Sequence, residues 1–500
     1  MKYLYGASVQ GIQEFIFQTN RLKEIAGASE LVEEICTTQF AQLLYDDRAI
    51  DYQAAKKKLV EDDRMIIFAA GNIKCVFAER KECEAVVLSF PRLVSGYAPG
   101  ITISQAVVEF DGDTDFSVAV AKLEERLKVQ RNKPVKNVTQ GAMGVLRSRQ
   151  NGKPVVYAHK GDFLDAATLA KCKYFIEDAD GAKLVSRRTT QNLCLKALGQ
   201  RMSDRQIAYD NTTMTGKNDW LAIIHADGNG MGQVVQEVGK TPDKFKTFSV
   251  ELDNATTSAS VAATKYVQEK YSLSVIENFP IRPIVLGGDD LTVICRADIA
   301  IDFTQKFMQE FEKETQSRLG RMLTVCAGIS YVKSSFPFHF AYKLAEELCG
   351  QAKKDAKSKV EDGAPAHSCL MFHKVQDSLF SDYASLEARE LSPQKNISFK
   401  FGPYYLAPEL SRWTVDDLND AVAGLESREG NAVKSHLRQW LSALHSNPDG
   451  AKQALDRLKS MTVMKKYVEL LTSPVSRGEK KVYPVYDVLA INTINNQRTK

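Results

Sequence analysis

The sequence predicts an α+β fold: two ferredoxin-like (βαββαβ) units joined by an insert, plus a C-terminal helical domain. Three observations carry this expectation. Apolar runs in the order strand, helix, hairpin, helix, strand, helix occupy residues 1–131 and return over 219–360. Each copy sets a glycine-containing hairpin at nearly the same distance from the end of its first strand, which marks an internal repeat. Beyond residue 414, apolar positions recur at the 3.6-residue spacing of bundled helices.

The first copy opens with a strand over 3–9 and a helical stretch over 13–44, with a break expected near Gly27. A hairpin over 65–77 turns at Gly71 and Asn72, and a helix (81–93), a strand (101–110) and a helix (116–130) come next. The insert, 132–218, is polar and mixed, with helical patches over 161–172 and 190–202 and no readable architecture. In the second copy a strand over 220–226 precedes a helix (245–271), a hairpin bent at Asp289, a helix (299–318), a strand (323–331) and a helix (338–357). Registering the copies sets Ser8 on Asp227, Gly71 and Asn72 on Asp289 and Asp290, and Arg131 near Lys353. The first copy thus lacks the acids and reads as a non-catalytic twin. Small residues over 361–366 mark the start of the last domain, 361–500, whose helices over 414–425, 431–445, 451–461 and 464–471 suit docking rather than chemistry.

Composition narrows the class. With 44% apolar residues the chain can bury several cores, so three or four domains are expected. No apolar run reaches the roughly eighteen residues of a membrane span. Met1, Lys2 and Tyr3 lead straight into a strand pattern without a secretory segment, so a cytoplasmic location is expected. Nine cysteines, odd in number, scattered and without a CxxC pair, read as buried thiols rather than a zinc site. A net charge of +4 is too small to mark a nucleic-acid binder by itself. The basic stretches over 128–136 and 353–359 could face phosphates or be solvated helix ends.

The chemistry concentrates at Gly287-Gly288-Asp289-Asp290, between two apolar strands. Adjacent carboxylates on a rigid bend repel and are desolvated unless a divalent cation binds them, so this reads as a magnesium (or manganese) site. Asp227 ends an apolar strand just before Gly228-Asn229-Gly230. In a palm, that first strand lies beside the acidic hairpin, so Asp227 can face Asp289 and Asp290 and complete a two-metal cage suited to nucleotidyl transfer. The glycines Gly228, Gly230, Gly287 and Gly288 leave backbone N–H groups open to a triphosphate. Taken alone, Gly-Gly-Asp-Asp is equally an ordinary hairpin turn; Asp227 and the repeat favour the site. An EF-hand is excluded because Val238 stands where its last glutamate belongs, and no P-loop run exists. His225 reads as a packed core histidine, and His367, Cys369 and His373 fit neither a zinc finger nor a Cys–His dyad.

The hairpin, Asp227 and the duplicated palm resemble the large subunit of type III CRISPR effector complexes, the Cas-ten or CRISPR polymerase family. The stretch Gly11-Ile12-Gln13-Glu14-Phe15-Ile16, with Gly27-Ala28-Ser29 after it, is similar to that family's first-palm opening. The resemblance spans nearly the whole chain. It implies condensation of ATP into cyclic oligoadenylates in antiviral defence, with Asp227, Asp289 and Asp290 holding two magnesium ions. Gly228 and Asn229 would contribute backbone contacts to metal and phosphate, Lys353 would steady the triphosphate, and the first palm would hold the acceptor nucleotide. It also implies crRNA-guided effector subunits and target RNA as partners; stand-alone relatives share the same palms. No HD-type nuclease domain precedes the first palm, so no associated DNase is expected. A nucleotide-binding scaffold with little turnover and a GGDEF-like dinucleotide cyclase are the other readings.

Overall fold

The computed structural model describes residues 1–69, 71–111, 116–133, 144–159, 161–172, 192–202, 206–208, 210–215, 219–273, 278–360, 365–376, 382–408 and 412–495. The first copy comprises β1 (Lys2–Gln10), α1 (Ile12–Phe17), α2 (Leu22–Glu34), α3 (Phe40–Tyr45), α4 (Tyr52–Glu61), β2 (Met65–Ala69), β3 (Asn72–Phe77), α5 (Arg80–Tyr97), β4 (Thr102–Phe110) and α6 (Phe116–Arg131). Its antiparallel sheet runs β2-β3-β1-β4. Alternate residues serve two faces, as the pleat requires: Tyr5, Cys75 and Phe77 enter the main core, while Leu4, Ile66 and Val108 pack under Leu123 and Leu127 of α6.

Within the insert lie β5 (Val155–His159), β6 (Asp162–Asp165), α7 (Ala166–Cys172), α8 (Asn192–Leu198) and α9 (Asn211–Thr215). The second copy comprises β7 (Trp220–Gly228), α10 (Met231–Val238), α11 (Pro242–Lys270), β8 (Ile281–Gly287), β9 (Asp290–Arg296), α12 (Ala300–Leu319), β10 (Val325–Lys333) and α13 (Phe338–Lys357). Its strands repeat the first sheet's order, β10-β7-β9-β8 standing where β4-β1-β3-β2 stand in the first.

After α13 come β11 (Cys369–Lys374), α14 (Tyr383–Leu386), β12 (Ile397–Ser398), β13 (Tyr404–Tyr405), α15 (Val415–Glu426), α16 (Arg428–Ser446), α17 (Pro448–Met461), α18 (Lys465–Thr472), β14 (Val475–Arg477), β15 (Lys480–Val482) and α19 (Val485–Asn495).

The architecture is mixed α+β, and it departs from the sequence reading in four places. The first long helix breaks at 18–21, not at Gly27. Gly27 lies inside α2 because a β-carbon there would stand 1.9 Å from the Lys171 carbonyl oxygen; the glycine admits α7 rather than ending a helix. The patch over 161–172 begins as strand β6 before α7, and the patch over 190–202 contains only α8, with Thr190 and Gln191 outside the described residues. Of the boundary loop, 361–364 lie outside them too. The region after it is not purely helical, since β11 adds in parallel to β10 and β13 pairs with β11, extending the second sheet to six strands. All nine cysteines are buried free thiols. Of the basic stretch over 128–136, Lys128, Arg131 and Lys133 are exposed and Lys136 is not among the described residues. Among the described residues no helix is long and apolar enough to cross a membrane.

One buried acid in the last region has a measurable signature. Asp487 accepts the Tyr404 hydroxyl at 2.7 Å, and burial pushes its carboxyl up to about 7 despite that bond and Arg477 nearby. Its folded value lies above an unfolded aspartate's roughly 3.9. Its contribution to stability is therefore full at low pH and lost as pH rises through about 7. Thermal melts should show Asp487→Asn, which keeps an acceptor for Tyr404, gaining on the wild type between pH 5 and pH 8. An unchanged difference between the two proteins would contradict this.

Candidate active site

Strand β7 lies between β9 and β10, and its C-terminal end carries Asp227 of the acidic cluster. The β7–β9 register pairs Ala226 with Leu291, so the next step along each strand brings Asp227 across from Asp290. On the other side Asp227 faces Cys326, and Gly228 faces Val325. The hairpin closes with Gly287 opposite Asp290, leaving Gly288 and Asp289 as the two turn residues. Gly288 has φ +61°, the backbone that the first position of a type II′ turn demands. A β-carbon on Gly228 would stand 2.8 Å from Asp289 Oδ2 and 2.9 Å from Asp289 Cβ, so this glycine lets the turn close onto β7. Asp227, Asp289 and Asp290 each present a carboxylate oxygen, all within 4.8 Å of one another.

This crowding is electrostatically unfavourable. Burial, then the charge of Asp227, pushes the Asp289 carboxyl up to about 6. Burial, then Asp289 and Asp227, drives Asp290 well above the ordinary carboxylate range. The Lys353 ammonium answers part of the charge: it donates to the Asp227 carboxylate and, at 2.8 Å, to the Gly228 carbonyl. One ammonium does not balance three carboxylates. The all-oxygen donor set, with a backbone carbonyl beside it, fits a hard divalent cation.

Lys353 arrives there by a match of two periods. Four residues of helix rise about 6 Å and two residues of strand about 6.6 Å, so α13 and β10 stay in step. The Ser330 hydroxyl donates to the Ala341 carbonyl at 2.7 Å, Gly328 lies under Ala345, and the Cys349 thiol donates to the Cys326 carbonyl at 3.2 Å. The next position in the series is Lys353, level with Thr324, two residues past the Cys326 that faces Asp227, and its side chain reaches back to the carboxylate. A β-carbon on Gly328 would stand 1.9 Å from the Ala345 oxygen, so only glycine allows the approach.

Other expected residues fall nearby. His225 is buried against Thr292, with Nδ1 3.2 Å from the hydroxyl, and burial lowers it to about 4, so it is a neutral packing group. Gly230 has φ +68° at the start of α10. Asn229 is held to Thr324, its backbone N–H at 2.8 Å from the carbonyl and its side-chain amide at 3.0 Å from the hydroxyl. Beside it opens a cleft of about 650 Å³ lined by Gly230, Arg321, Thr324 and Lys357. Lys357 belongs to the basic stretch 353–359 that the sequence reading set against phosphates, while Arg321 was missed. Lys357 lies one helical turn beyond Lys353, a visible signal, whereas Arg321 has none.

The first copy faces the site across a cleft of about 130 Å³ lined by Gln13, Ser29, Gly71, His225, Asp290 and Tyr342. Gln13 donates to the Tyr342 hydroxyl at 2.8 Å, and Phe17 stacks on the Tyr342 ring. Ser8 pairs with Asn72 just where Asp227 meets Asp290 in the second copy, so the register agrees while the charge is absent. Arg131 is exposed.

Residues 220–361 match the family model described as Cas10/Cmr2, second palm domain. This segment is similar to a Cas10/Cmr2 second palm. The family resemblance read from the sequence is therefore borne out, and the whole-chain fold agrees with it. A crystal structure of a Csm1–Csm4 cassette in complex with pppApApA matches with a TM-score of 0.59 and 12% identity, over 100% of this chain and 69% of that one. The Csm1–Csm4 subcomplex of a type III-A CRISPR-Csm interference complex gives 0.55 and 14%, over 100% and 70%. The cassette in complex with cA4 gives 0.53 and 14% over the same shares. At such identities the likeness is one of fold. No curated protein matches this chain by sequence.

The α13–β10 contact gives a direct test. Gly328→Ala should destabilise the second palm by about 1–3 kcal/mol through overpacking. It should also tighten manganese binding, because lifting Lys353 away from Asp227 removes a cation that competes for the same carboxylate and the Gly228 carbonyl. Urea unfolding and a manganese titration measure both, and unchanged values would refute the close contact.

Proposed function

We propose that this chain is a nucleotidyltransferase that condenses ATP into cyclic oligoadenylates in type III CRISPR-like antiviral defence. The observation that carries the reading is the convergence of Asp227, Asp289 and Asp290 with Lys353 inside a Cas10/Cmr2 second palm. Structures sharing the fold hold ATP, pppApApA or cA4, which adds support. We read 1–131 and 219–360 as ferredoxin-like palms, 132–218 as the insert and 361–500 as the C-terminal domain.

In this reading Asp227, Asp289, Asp290 and the Gly228 carbonyl hold magnesium or manganese. When bound, the ions lower the pKa of a 3′-hydroxyl and offset charge on the triphosphate and departing pyrophosphate. Lys353 serves as a point charge that orients a phosphate, with Lys357 and Arg321 lining the cleft where the donor triphosphate lies. The Gly228-Asn229-Gly230 turn and the Gly287-Gly288 bend present backbone to the nucleotide. The cleft between the copies, with Gln13 and Ser29 on one wall and Asp290 on the other, takes the acceptor nucleotide. Effector subunits like Csm4, crRNA and target RNA are the partners this assigns.

Incubation of the full chain with each NTP and magnesium or manganese, with and without RNA and effector subunits, should yield cyclic oligoadenylate by mass spectrometry. Asp289→Ala/Asp290→Ala should abolish it, and Lys353→Met should slow it by about 10²-fold, the scale of one lost charge-stabilising donor. Product formed undiminished by the double variant would refute the site. A wild type silent under every condition would refute the activity.

A further inference from the structure

The acidic hairpin stands at the sheet's edge, because β8 pairs only with β9 among the described strands. An edge strand turns alternate carbonyls outward, where they need partners if covered. Three side chains from three different elements supply them. Ser29 of α2 donates to the Ile284 carbonyl, Lys196 of α8 donates to the Leu286 carbonyl at 2.9 Å, and Thr256 of α11 donates to the Gly288 carbonyl at 2.5 Å. The three carbonyls lie two residues apart, leading up to Asp289 and Asp290.

Lys196 is the unusual member. Its side chain is 6% exposed and its ammonium bonds Asp253 at 2.8 Å, with Glu33 at 3.9 Å. Burial pulls the ammonium down, but Asp253 and Glu33 outweigh it and keep the group charged. A charged donor on a buried carbonyl is stronger than a neutral one. Its helix is itself wedged. Glu30 of α2 accepts the Leu193 N–H at 3.2 Å, and Ser260 of α11 donates to the Ala197 carbonyl at 2.8 Å. Helix α8 belongs to the insert and α2 to the first copy, yet both end on the backbone that carries the acids.

We infer that Lys196 is a positioning residue for the acidic hairpin: with Ser29 and Thr256 it fastens the outer edge of β8, so that the insert and the first copy set where Asp289 and Asp290 stand. The inference rests on the proposed cation-binding role of these acids. It adds that the second palm's acids depend on groups outside that palm. A displacement of α8 is transmitted through one ammonium to the cage.

The test uses the full chain and two routes. Lys196→Met/Asp253→Asn removes the ammonium together with its nearest carboxylate, leaving Glu33 bonded by the Tyr52 hydroxyl at 2.8 Å and Lys56 part-exposed. Thr256→Val removes only a hydroxyl, and Thr256→Ser restores it. Amide hydrogen exchange over 284–291 should quicken at least tenfold in the first two variants while β7 and β10 keep their protection. Manganese affinity should fall about tenfold, and kcat for product should drop with KM for ATP held within about twofold. Thr256→Ser should behave as wild type. Folded variants, Thr256→Val included, with unchanged exchange over 284–291 and unchanged manganese affinity would overturn the inference. A wild type that makes no cyclic product would instead defeat the proposed activity, while exchange and manganese binding would still decide the role of Lys196.

Discussion

The contact on which the site depends is that of α13 on β10 at Gly328. Because the helix and the strand advance in near-equal steps, fixing one touching pair fixes the whole series from Ala341 to Lys353. Backbone packing therefore places Lys353 just past Asp227, and its side chain reaches back to the carboxylate. Asp227 pairs with Cys326 of β10 on one side and stands one step past the Ala226–Leu291 pair on the other, and Gly228 lets the turn carrying Asp289 lie against it. Backbone contacts set these positions, and side chains of Ser29, Lys196 and Thr256 fasten the outer edge of the hairpin.

The two copies show how separable frame and charge are. Strand order, hairpin register and the final helix recur, and the pair Ser8–Asn72 occupies the register position where Asp227 stands across from Asp290. Where the second copy concentrates carboxylates so closely that two of them resist ionisation, the first has only neutral groups. The first copy instead contributes walls, with Gln13 and Phe17 against Tyr342, and a backbone clasp through Ser29.

Much of this was legible in the sequence because it is local or periodic. The repeat, the two hairpins and α13 emerge from short-range apolar patterns, and the meeting of Asp227 with the hairpin emerges from strand register. The illegible remainder rests on distant partners. Gly27 looked like a helix break because the Lys171 carbonyl that requires it is far away in sequence. Strand β6 was hidden inside a patch that read as helical, and β11 could not be assigned to the second sheet because parallel pairing leaves no turn signal. Lys196 carried no motif at all; its importance lies in a carbonyl ninety positions away.

The pairing of β11 with β10 also bears on where this protein can be cut. Asp355, two residues beyond Lys353, accepts the Tyr405 hydroxyl at 2.6 Å and is bound by Arg412, and the Cys369 thiol donates to the Ala352 carbonyl at 3.4 Å. A fragment ending just after α13 would bare one rim of β10 as an unpaired, sticky margin and loosen the very turn of helix that aims Lys353. The segment 220–361 borrows its rigidity from the strands and loops C-terminal to it.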